Sequence, residues 1–132
     1  MTLNPQPLHI DRHFCATETE WGQPLMNSLF TLGLMIGMSV SDLSTGTTIA
    51  NLGMQETRFP HPVFENDTLH ASTEITAKRE SKSRPTQGLV TVVTRGFKAD
   101  PAGAGKMIQI MTFKRTILLP KIGHAVDDRA NY

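Results

Sequence analysis

Residues 24–41 read PLMNSLFTLGLMIGMSVS, from Pro24 to Ser41, and hold no charged side chain. Leu25, Leu29, Leu32, Ile36 and Val40 recur at helical spacing, and Met26, Phe30, Leu34, Met35 and Met38 fill the other sides. A helix that is apolar nearly all round is predicted to be buried. A membrane span is the competing reading, but the run free of strongly polar residues, Leu29 to Val40, is shorter than the roughly 18–20 residues that crossing a bilayer takes. The stretch therefore reads as a core helix that starts between Pro24 and Ser28 and ends near Asp42. Gly33 and Gly37, four apart, give it two positions without side chains where another backbone is expected to approach.

Around this helix the chain has room for one domain. With 132 residues, 39% hydrophobic and 19% charged, it can bury one sizeable core. A net charge of +1 gives no electrostatic ground for a nucleic-acid or membrane partner. The single Cys15 excludes an internal disulfide and fits a reducing compartment. The opening residues MTLNPQPLHID lack a basic stretch followed by an apolar one, so no secretory signal is read and a cytoplasmic location is expected.

Before the helix, Asn4 to Asp11 contains prolines on both sides of Gln6 and is predicted to be extended or turned rather than helical. His13 to Glu20 suits a short helical turn, and Trp21-Gly22-Gln23-Pro24 punctuates the entry to the central helix. After the helix everything reads as strand. Thr48 to Phe59 is irregular, with Gly53 marking a bulge or a close approach. From Thr68 to Lys78 the residues Leu69, Ala71, Thr73, Ile75 and Ala77 alternate with polar ones, the period of a half-buried strand. Leu89 to Lys98 and Met107 to Leu119 come next, joined by a Pro- and Gly-rich turn. The tail ending in DDRANY is polar and expected to be loose. One helix lying on a long antiparallel sheet is an α+β architecture of the hot-dog kind. Its open edges are expected to pair two subunits as a homodimer.

Two blocks, Asn4-Pro5-Gln6-Pro7-Leu8-His9-Ile10-Asp11 and Gly22-Gln23-Pro24-Leu25-Met26-Asn27-Ser28-Leu29-Phe30, resemble the MaoC-like dehydratases, hot-dog proteins related to the (R)-specific enoyl-CoA hydratases. Arg58-Phe59-Pro60, Pro62-Val63-Phe64, Asp67-Thr68-Leu69 and Arg79-Glu80-Ser81-Lys82-Ser83-Arg84-Pro85 are similar to the subgroup acting on branched C5 dicarboxylic CoA thioesters such as mesaconyl-CoA or itaconyl-CoA. The resemblance runs from residue 4 to about 120 and leaves out the strand and short helix that family members usually carry before this loop.

What the resemblance implies is a hydratase or dehydratase working on the double bond of an enoyl-CoA thioester. His9 matches the family's catalytic histidine, and Asn4 stands where the family has an aspartate. An amide cannot accept a proton, so the implied mechanism uses His9 as sole general base, with Asn4 orienting the water through its carbonyl oxygen. Gln6 matches an asparagine of the loop and is expected to order the water or the loop. Asn27-Ser28 takes the place of an H-G pair. The Ser28 N–H is expected to hold the thioester oxygen at the helix N-terminus, and Asn27 to add a side-chain donor. Arg79 or Arg84 is expected to bind CoA phosphates or the substrate's free carboxylate, since a guanidinium matches either group. No metal or redox cofactor is implied, and coenzyme A enters as part of the substrate. His9 and His13 lack an evident third metal ligand. Met26, Met35, Met38 and Met54 read as core or acyl-tunnel lining. Two other readings stay open: an acyl-CoA thioesterase, for which Glu56 or Asp67 are the candidate carboxylates, and a non-catalytic hot-dog subunit that binds acyl-CoA or an active partner.

Overall fold

In the computed structural model, described for residues 4–103 and 105–125, the chain forms three helices and then four strands. They are α1 (Pro7–Ile10), α2 (Arg12–Glu18), α3 (Ser28–Leu43), β1 (Ala50–Arg58), β2 (Leu69–Glu80), β3 (Gln87–Ala99) and β4 (Met107–Pro120). All pairings are antiparallel and the sheet order is β1-β4-β3-β2. The last three strands form a meander, and β1 joins on the far side of β4. The chain must therefore cross the end of the sheet between β1 and β2, and residues 59–68 make that crossing.

Each element has a local chemical cause. Pro24 precedes the long helix, and Asn27 caps it, its side chain accepting from Leu29 N at 2.9 Å; such a cap satisfies one of the orphan donors of a first turn. Asp11 caps α2 through Phe14 N at 2.9 Å. In β1 the register slips between Asn51 and Gly53 and again between Gln55 and Arg58, where Glu56 takes a positive φ of 52°. The expected bulge beside Gly53 is thus present. β2 alternates as expected from Leu69 to Thr73, but from Glu74 onward it is exposed on both faces.

Three expectations drawn from the sequence are corrected. First, the stretch Asn4–Asp11 is not free of helix: Pro7 opens α1, because proline is disfavoured only inside a helix and suits its first turn. Second, α3 is buried along one stripe only, Thr31, Met35 and Ser39. Its opposite side leaves Leu29 73% and Phe30 44% exposed, and Leu34 and Met38 are exposed beside them. Third, nothing approaches Gly33 or Gly37 within 4 Å of where a Cβ would stand; the close approach is at Gly96 of β3, where a Cβ would lie 2.9 Å from Met35 Sδ.

The core is the layer between α3 and the sheet: Met35, Val63, Ile110, Met111 and Phe113. Two cations enter buried surroundings. Lys98 pairs with Asp67 at 2.9 Å and sits 5.1 Å from the Phe64 ring centroid, and Asp67 also accepts from Phe64 N. This ties the crossing segment to β3. Arg115 on β4 donates to Ser39 Oγ at 2.8 Å, leaves its buried Nε without an acceptor among the described residues, and has its pKa lowered by desolvation. The end of the polar tail lies outside the described residues. Among those described, no helix is long and apolar enough to cross a membrane.

Candidate active site

The backbone of Leu25 and Met26 is a short extended rib between α1 and the crossing segment. Leu25 N–H donates to Leu8 O at 2.9 Å and Met26 N–H donates to Val63 O at 2.8 Å; an antiparallel bridge joins Leu25 to Phe64. This rib carries the chain into the N-terminus of α3 and fixes both sides of the site.

On one side, His9 Nδ1 lies 2.7 Å from Leu25 O. A carbonyl oxygen only accepts, so Nδ1 carries a proton, and in the neutral ring the lone pair is on Nε2. His9 shares a cleft of about 440 Å³ with Asn4, Arg12, Asn27 and Glu65, among others. Such a volume is in the range of small-molecule sites. Asn4 Oδ1 accepts from Gln6 N at 3.3 Å, so the carbonyl oxygen expected to orient water also holds the loop. The cap bond leaves the Asn27 amide nitrogen, the donor expected of it, unused by that bond. Gln6 itself is exposed and is not on the cleft wall. Its carbonyl accepts from His9 N at 2.9 Å, which makes it part of the loop's framework.

On the other side of the rib lies a smaller pocket of about 210 Å³, whose wall includes Ser28, Trp21, Val63, Ile110 and Met111. Leu25 and Met26 line both spaces, so the two adjoin along the rib. The Ser28 N–H, first of α3, has no intrahelical acceptor and stands at the positive end of the helix dipole. The structure thus brings His9, Asn4, Asn27 and Ser28 to one end of the sheet.

Arg79 and Arg84 lie elsewhere. Leu69 pairs with Lys98 at the site end of the sheet, and Arg79 pairs with Leu89 ten residues further along β2, roughly 33 Å away at about 3.3 Å per residue. Arg84 sits in the β2–β3 turn, where it donates to Gln87 Oε1. Within one copy neither reaches the cleft that holds His9. The thioesterase candidates are also placed: Asp67 is held by Lys98, and Glu56 is an exposed residue of β1 beside Lys114. Two further side chains escaped the sequence reading. Glu65 brings a carboxylate to the His9 cleft, where it is paired with Arg12. His61 lines the Ser28 pocket. Both sit on the crossing segment, remote in sequence from the loop, and the Pro60-His61-Pro62 triplet was the one local sign of a fixed wall.

Comparison with known proteins places the family and the fold. The model of the MaoC-like domain matches residues 1–96. The chain is 31% identical over 106 residues to a mesaconyl-CoA hydratase of Cereibacter sphaeroides, a match covering 80% of this chain and 30% of that protein. It is 35% identical over 91 residues to an (R)-specific enoyl-CoA hydratase of Aeromonas caviae, covering 69% of this chain and 62% of that one. Neither relative is matched over two thirds of its own length. Among solved structures, a Mycobacterium tuberculosis protein with a double hotdog fold superimposes with a TM-score of 0.73 at 25% identity, over 89% of this chain and 34% of that one. The α+β arrangement of sheet and helix is therefore a hot-dog fold, and the chain belongs to the MaoC-like domain family.

Proposed function

We propose that this chain is a cytoplasmic hydratase or dehydratase that adds water to, or removes it from, the double bond of an enoyl-CoA thioester, with a branched C5 dicarboxylyl group as acyl chain. The observation that carries the reading is the His9 Nδ1 to Leu25 O bond. It leaves Nε2 as a base in a cleft next to the N-terminus of α3.

In the hydration direction, His9 Nε2 takes a proton from water and the oxygen adds to Cβ. The electron pair of the double bond moves to Cα and the thioester oxygen, where the Ser28 N–H and the helix dipole stabilise the developing charge. The imidazolium then returns its proton to Cα. Asn4 cannot exchange protons, so one histidine does both transfers; the share of Asn4 is to hold the loop and to orient the water by accepting from it with its carbonyl oxygen. The reading calls for no metal or redox cofactor, and coenzyme A comes with the substrate. The similarity to a mesaconyl-CoA hydratase supports the dicarboxylyl acyl group.

The test is to incubate the chain separately with mesaconyl-CoA, itaconyl-CoA and crotonyl-CoA and follow loss of the conjugated absorbance or, for itaconyl-CoA, the product mass. Hydration of at least one is the expected result. Release of free CoA detected with a thiol reagent, without hydration, would replace this reading with the thioesterase.

A further inference from the structure

Resting on the hydratase reading, we infer that His61 is the residue that recognises the distal carboxylate of the acyl group. The pocket beside Ser28 is the natural place for the acyl chain, because a thioester oxygen at the Ser28 N–H leaves the chain at its mouth. Its volume of about 210 Å³ suits a group only slightly larger than the six carbons of benzene, which a dry cavity of about 150 Å³ accepts.

The wall of this pocket is mostly apolar, and among the described residues His61, itself solvent-exposed, is the one ionisable side chain on it. A carboxylate that gives up part of its water against these apolar walls is disfavoured unless a partner meets it. His61 Nδ1 lies 2.8 Å from Gln109 O, so, as with His9, this nitrogen donates to the carbonyl. Nε2 is the remaining ring atom, and in the imidazolium form it donates a charge-assisted bond to an anion. The ring is also well fixed. Pro60 and Pro62 restrict the backbone on either side, Val63 O accepts from Met26 N, and Asp67 ties the segment to Lys98. The alternative cations, Arg79 and Arg84, lie too far along the sheet to share a five-carbon group with His9 in one copy.

The test compares the full chain with its His61→Ala and His61→Arg variants in steady-state hydration of mesaconyl-CoA and of crotonyl-CoA, which has no distal carboxylate. Losing a charge-assisted bond predicts a KM for mesaconyl-CoA raised about tenfold or more in His61→Ala, with kcat changed less than about threefold. The crotonyl-CoA constants are expected to move less than about twofold, which also shows that the variant folds, and His61→Arg is expected to restore most of the affinity for mesaconyl-CoA. Unchanged constants, or an equal rise for both thioesters, would overturn the assignment. Wild-type hydration of crotonyl-CoA but of no dicarboxylyl thioester would overturn it while leaving the hydratase reading in place. Hydration of neither would remove both.

Discussion

At the scale of single residues, the site depends on which nitrogen of His9 holds a proton, and a backbone carbonyl decides it. Leu25 O accepts from Nδ1 and leaves the base on the other side of the ring. Asn4 is the second determinant, through its bond to Gln6 N. Replacing Asn4 with alanine removes both that bond and the carbonyl acceptor that orients the water, and kcat is expected to fall about tenfold, less than the roughly hundredfold that losing a group acting directly on the transition state costs. Asn4→Asp keeps the acceptor for Gln6 N and supplies a carboxylate, so it is expected to retain far more activity than the alanine variant in parallel assays; equal losses would contradict the role given to the loop bond. His9, Asn4, Asn27 and Ser28 were readable as candidates because two short continuous blocks carry the family resemblance that points to them. Glu65 and His61 were not, since only the path of the crossing segment brings them to the same place.

At the scale of elements, the helical period of residues 24–41 located α3 within a few residues, but it overstated how much of the helix one chain buries. Periodicity says which positions share a face and is silent on what covers each face. Likewise the glycine pair looked like a packing groove, while the real close contact came from Gly96, whose position against Met35 depends on strand register. Gly96→Ala would push a Cβ to 2.9 Å from Met35 Sδ and 3.4 Å from Ile110 Cγ1, and both neighbours are nearly fully buried. It is expected to destabilise the fold by about 1–2 kcal/mol in chemical denaturation. Gly33→Ala meets nothing within 4 Å and is expected instead to stabilise by about 0.5–1 kcal/mol through helix propensity. Reversal of that order would show that the layer between α3 and the sheet is wrongly described.

At the scale of the molecule, the alternation of the strands announced an antiparallel sheet, but not the order β1-β4-β3-β2, which no local pattern encodes. That order leaves β1 and β2 as open edges and α3 with the exposed apolar row Leu29, Phe30, Leu34 and Met38. Exposed apolar area of this kind marks an interface, and a homodimer is proposed on that ground. Sedimentation equilibrium is expected to give twice the monomer mass, and Leu34→Glu to shift it toward the monomer; a wild-type monomer at micromolar concentration would contradict the proposal.

The central claim is that His9 is the base of a hydration reaction, and single-turnover hydration in water enriched in ¹⁸O tests it most directly. Wild-type chain incubated with mesaconyl-CoA and crotonyl-CoA is expected to place the label on Cβ of at least one product. His9→Ala, with an unchanged circular dichroism spectrum, is expected to lose at least about a hundredfold in rate, the lower bound for removing a general base. Label incorporation by His9→Ala at the wild-type rate would contradict the account.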